Sequence, residues 1–143
     1  MKPWLLLTLL LSTLTASAAD QILAGPKGGR LLQVAPLQAE FFVTPERKAE
    51  INFYSDQKPV APTTQTVALT AEPQGKRLPI ALEKTSTGFI SRDPLPESAE
   101  PYRIVLQIRP TPDAKPVNFR IDLNLTVCAE CDKSEYACTC VGH

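Results

Sequence analysis

Hydrophobic residues along most of this chain return at every second position, the spacing of strands with one buried face. The longest such run is Phe119, Ile121, Leu123, Leu125 and Val127, alternating with Arg120, Asp122, Asn124 and Thr126. Tyr102, Ile104, Leu106 and Ile108 alternate in the same way, and Thr111-Pro112-Asp113-Ala114-Lys115-Pro116 between the two runs has turn chemistry. The pattern predicts an antiparallel hairpin. Shorter strands are expected at Arg30 to Val34, Ala39 to Val43, Glu50 to Tyr54, Thr66 to Ala71, Leu78 to Leu82 and Gly88 to Ser91. Turn signals such as Ser55-Asp56-Gln57-Lys58-Pro59 and Arg92-Asp93-Pro94 separate them, and the proline-rich stretches Val60 to Thr64 and Asp93 to Pro101 read as sheet-crossing loops. No stretch carries a helical stripe, and the connections are too short for parallel crossovers. The expected fold is all-β: an antiparallel immunoglobulin-like β-sandwich of about seven or eight strands ending in a short cysteine-rich tail, with a small barrel as the alternative closure.

Composition supports strands over helices. Fourteen prolines stand against six glycines, and proline suits strand edges and turns while breaking helix interiors. The first residues have a different logic. Lys2 gives a positive start, Trp4 to Leu14 form a short apolar run, and Ala16-Ser17-Ala18 supplies small residues for cleavage, which together predict a signal peptide over residues 1–18. The run is shorter than the roughly 20 apolar residues that span a bilayer, so no membrane insertion is expected after cleavage, and the expected location is periplasmic or otherwise secreted. The chain carries 15 basic and 15 acidic side chains, and loss of Lys2 leaves the mature protein at −1. Nothing in that balance draws nucleic acid or an anionic membrane. Residues 19–127 are the expected sandwich, and residues 128–143 the tail.

Chemistry concentrates in that tail. It holds all four cysteines and the single histidine of the chain: Cys128-Ala129-Glu130-Cys131, then Cys138-Thr139-Cys140, then His143. A Cys-x-x-Cys pair lets two sulfurs converge on one ion while the intervening amides turn toward them, as in zinc knuckles. Six residues separate it from the Cys-x-Cys pair, enough for a loop to fold back and surround one metal with four thiolates. His143 adds an imidazole as a fifth or exchangeable donor. Such a ligand set favours Zn, with Cu(I) and Cd as alternatives, over hard ions. Glu130, Asp132 and Glu135 against Lys133 make the surroundings negative. Because Cys128 follows the last inward residue of the final strand, the cluster is expected to project from one end of the sandwich as a mobile site suited to metal transfer.

Oxidation is the competing reading, since exported proteins meet disulfide-forming conditions and the cysteine count is even. Crosswise disulfides in the tail would close short loops, worth ~2.5–3 kcal/mol each, whereas a structural zinc site contributes on the order of 10–16 kcal/mol. Neither would join distant parts of the sandwich. The alternative is then a structural or adaptor module with a disulfide-stapled tail. Thiol redox catalysis fits poorly, because no helix follows Cys131 to lower a thiol pKa. Hydrolysis fits no better, because one terminal histidine leaves no nucleophile, base and orienter to name. An enzyme is not expected.

Other features have plainer explanations. Asn124-Leu125-Thr126 matches a glycosylation sequon inside an expected strand; Phe41, Phe42, Phe53, Tyr54 and Phe89 read as core before binding platform; Gly25-Pro26-Lys27-Gly28-Gly29-Arg30 lacks the spacing of a phosphate loop and reads as a turn. The mature chain has no methionine, which does not suit a methionine-rich copper carrier. The segments Gly28-Gly29-Arg30-Leu31-Leu32, Ala39-Glu40-Phe41-Phe42-Val43 and Ala49-Glu50-Ile51-Asn52-Phe53-Tyr54-Ser55-Asp56-Gln57-Lys58-Pro59-Val60 together resemble small bacterial periplasmic β-domains associated with heavy-metal efflux adaptors. The resemblance covers about the first third of the mature domain. Where those domains often carry a histidine before the Gly-Gly pair, this chain has Lys27. What it implies is a periplasmic module in metal handling, with an efflux or adaptor protein as partner.

Overall fold

The alternating runs form strands in the structure, a computed structural model that describes residues 21–141. The expected signal peptide and His143 lie outside the described residues. In chain order the strands are β1 (Leu23–Ala24), β2 (Arg30–Val34), β3 (Leu37–Val43), β4 (Ala49–Ser55), β5 (Lys58–Val60), β6 (Thr66–Glu72), β7 (Leu78–Ile80), β8 (Leu82–Lys84), β9 (Gly88–Ser91), β10 (Tyr102–Arg109) and β11 (Val117–Leu123). They make two sheets in which every pairing is antiparallel. One runs β1-β2-β3-β4-β9-β8, with β5 also paired to β4, and the other runs β11-β10-β6-β7. Two short 3-10 turns, Pro73–Gly75 and Glu135–Ala137, are the helical pieces among the described residues. No helix among them is long and apolar enough to cross a membrane.

The expected hairpin is β10–β11, in the register Tyr102 opposite Leu123, Ile104 opposite Ile121 and Leu106 opposite Phe119. Tyr102, Ile104, Leu106 and Ile108 point inward and are buried, as period two requires. They join Leu69 and Ala71 of β6 and Ala39, Phe41, Ala49, Ile51 and Phe53 of the other sheet in one continuous core. Of the five aromatic residues expected in the core, Phe41, Phe53 and Tyr54 are buried, and Phe53 meets Phe89 edge to face at 6.3 Å. The β4–β5 turn places Asp56 and Gln57 at φ 49° and 65°, the paired positive values of a two-residue hairpin turn. Close approach explains Gly88: a Cβ there would lie 1.8 Å from the Ile51 carbonyl oxygen of β4.

Over Glu40, the outer face of the larger sheet is covered by the glycine-rich turn before β2. Glu40, fully buried, accepts hydrogen bonds from the Lys27 and Gly29 amides at 2.9 and 2.8 Å and from the Tyr54 hydroxyl at 2.9 Å. Gly28 has φ +86° and so takes the left-handed conformation this turn needs. The carboxylate therefore pins a segment that has little side-chain bulk of its own.

Eleven strands among the described residues exceed the seven or eight expected. β1 and β5 are two and three residues long, too short for an alternating pattern to register. The single strand expected over Leu78 to Leu82 is two strands in different sheets: β7 pairs with β6, β8 with β9, and the chain crosses between them at Ala81. The last strand stops at Leu123 instead of running to Val127. Its partner β10 begins at Tyr102, and the next residue back is Pro101, which has no amide to donate. Leu125 and Val127, expected to face inward, are 38% and 61% exposed.

Candidate metal centre

Leaving the sheet after Leu123, the chain doubles back on itself. The Glu135 and Tyr136 amides donate to the Thr126 and Asn124 carbonyls at 2.9 and 3.1 Å, and Val127 bridges Ser134. At the tip, the Cys128 amide donates to the Lys133 carbonyl at 2.8 Å, and the Asp132 amide returns a bond to the Cys128 carbonyl at 3.0 Å. Asp132 takes φ +57°, which a short polar side chain tolerates. Cys128 and Cys131 thus sit on one tight turn. The 3-10 turn Glu135–Ala137 then redirects the chain, closed by the Cys138 amide on the Glu135 carbonyl at 3.2 Å, and brings Cys138 and Cys140 over that turn.

The four Sγ atoms all lie within 4.8 Å of one another, and Cys131 Sγ is 3.6 Å from Cys138 Sγ. All four thiols are free. A tetrahedral zinc site with Zn–S bonds of about 2.3 Å separates its sulfurs by about 3.8 Å. The cluster has that scale, so these four cysteines are placed to hold one metal ion. Cys128 and Cys138 are buried, at 2% and 4% exposure, while Cys131 and Cys140 are half-buried. Two of the four ligand residues are thus closed off by protein and two are partly accessible.

Amide–sulfur hydrogen bonds complete the arrangement. The Lys133 amide donates to Cys131 and holds its thiol down to about 7, with further help from the neighbouring thiols. The Cys140 amide likewise donates to Cys138. Cys140 itself is pushed well above the ordinary thiol range, first by its hydrogen bond with Cys138, then by desolvation, the other thiols and Glu130. This divergence is what crowded acids show, because several negative sulfurs cannot coexist at such distances without a cation. A bound metal ion would supply that cation.

Cys128, Cys131, Cys138 and Cys140 are therefore brought together as the spacing implied, while His143 lies beyond the described residues. One residue of the site went unread in the sequence. Tyr136, between the two cysteine pairs, is 4% exposed and belongs to the hydrophobic core, as does Ala137. Its ring meets Phe41 edge to face at 5.7 Å and 81°, and its hydroxyl accepts the Val43 amide at 3.0 Å. The tail is docked on the domain, not held away from it. The available signal was that Tyr136 is the one large aromatic residue in an otherwise small and polar tail. No protein-family model matches the chain, and comparison with curated proteins and with solved structures finds no similar protein.

Proposed function

We propose that this is an exported, non-enzymatic metal-binding protein of immunoglobulin-like sandwich architecture, which buffers a soft metal ion or hands it to a partner in the periplasm. The observation that carries this reading is the convergence of four thiols within 4.8 Å. Zinc fits the tetrahedral scale, and Cu(I) or Cd shares the preference for sulfur. The half-buried Cys131 and Cys140 make the side on which a metal ion enters and leaves, and buried Cys128 and Cys138 anchor it. His143 serves as a fifth or exchangeable donor. The efflux or adaptor partner follows from the resemblance of residues 28–60 to periplasmic metal-handling domains.

Mass spectrometry of the native mature protein, purified without reductant and measured before and after a chelator, tests the reading together with thiol titration. About one metal ion per chain and protected thiols are expected. Cys131→Ser combined with Cys140→Ser removes the ion. Full occupancy in that double variant rejects the ligand assignment. Metal-free protein with no titratable thiol identifies a disulfide-stapled adaptor module instead.

A further inference from the structure

The segment between the two cysteine pairs does more than connect them. From Cys131 to Cys138 the chain plunges into the sandwich, with Tyr136 and Ala137 buried in the core, and re-emerges with the second pair of sulfurs. Tyr136 precedes Cys138 by two residues and is fixed by two independent contacts. One is the edge-to-face packing on Phe41. The other is the Val43 amide, which finds its acceptor in the Tyr136 hydroxyl because β2 pairs with β3 only as far as Phe41 opposite Arg30. A tail residue thereby finishes the edge of a central strand.

We propose that Tyr136 is the positioning residue of the metal centre, and that metal occupancy and seating of Tyr136 against Phe41 and Val43 are linked. This rests on the metal-binding reading above. The physical basis is the shared loop. Residues 128–140 must close for the sulfurs to converge, and the same closure delivers Tyr136 to the core. Without an ion, the closure of the hairpin rests on the backbone bonds of residues 124–138 and on the contacts of Tyr136. With an ion, the loop is cross-linked, and the ring and hydroxyl of Tyr136 are kept at the end of β3. Linkage is reciprocal: whatever factor metal adds to seating, seating adds to metal affinity. Ion capture is thereby transmitted to the β3 edge, and release would uncover the Phe41 ring edge and an unpaired Val43 amide.

The test measures hydrogen exchange of the Val43 amide in the full mature protein, zinc-loaded and chelated, with the Ala71 amide of β6 as an internal reference. Zinc is expected to slow exchange at Val43 by at least about tenfold more than it slows exchange at Ala71, which reports global stability, the local coupling then being about 1.4 kcal/mol or more. Tyr136→Ala is expected to weaken zinc binding by about 10- to 100-fold, as loss of support to a metal ligand commonly does. It should also disturb the thiolate-to-metal absorption bands of the Co(II)-substituted protein. Tyr136→Phe keeps the ring and rescues affinity to within about threefold, while Val43 protection falls. Equal Val43 protection with and without zinc in the wild type overturns the linkage, a result that does not depend on any variant folding. Zinc affinity in Tyr136→Ala equal to that of the wild type overturns the positioning role. A wild type that binds no zinc, Co(II) or Cu(I) instead fails the underlying metal reading, and is told apart by that measurement alone.

Discussion

Single side chains in this protein do work that their residue types do not announce. Glu40 alternates with Ala39 and Phe41 in the sequence as an outward-facing strand residue, and such positions are ordinarily solvated. In the structure it is fully buried and accepts from two amides and the Tyr54 hydroxyl. Charge-assisted bonds are roughly twice as strong as neutral ones. Glu40→Gln is therefore expected to cost about 1–2 kcal/mol in urea unfolding. Glu40→Ala, which leaves three donors without their acceptor, should cost more than Glu40→Gln. An unfolding midpoint in Glu40→Ala equal to that of the wild type would show that the turn before β2 is held by something else. The cysteines were legible as a set from their types and spacing. Their division into buried Cys128 and Cys138 and half-buried Cys131 and Cys140 was not, because it depends on how the hairpin packs against the sheets.

At the scale of elements, the alternation in β10 and β11 was readable because each strand spans enough residues to repeat its pattern, and the inward face follows from it, while the register is read from the structure. The same alternation continues to Val127, where the sequence over-reads the strand: backbone pairing ends with the partner's Pro101, and a side-chain pattern carries no information about the neighbour's length. The segment beyond Leu123 becomes the first arm of the cysteine hairpin. At this scale pH sets the metal affinity. Capture of an ion displaces protons from Cys138 and Cys140, whose thiols lie above the ordinary range, while Cys131 at about 7 loses its proton near neutrality. Binding releases protons, so affinity rises with pH and falls on acidification. Zinc affinity measured by competition with a chelator of known proton affinity is expected to drop more than tenfold per pH unit below neutrality, because more than one proton is taken up per ion released. A pH-independent affinity would mean that the sulfurs are not the ligands.

The whole molecule divides its stability between a core and a clasp. The continuous apolar cluster spans both sheets and includes none of the four sulfurs, so the sheets do not need the ion. Chelation is expected to lower the thermal midpoint, because a ligand bound only to the folded state stabilises it by mass action, yet to leave the far-UV strand signature of the folded protein in place at 25 °C. Collapse of that signature on chelation would place the metal inside the main folding unit. By itself the sequence determined the all-β class, the antiparallel β10–β11 hairpin and the identity of four converging sulfur donors, since period, turn chemistry and ligand spacing are local properties of a chain. Tertiary structure alone decided that the strand over Leu78 to Leu82 splits between sheets, that Glu40 is buried, and that Tyr136 ties the cysteine hairpin to Phe41 and Val43. Those outcomes pair residues as distant in sequence as Phe41 and Tyr136, and only the closing of the two sheets over a common core brings such partners within contact.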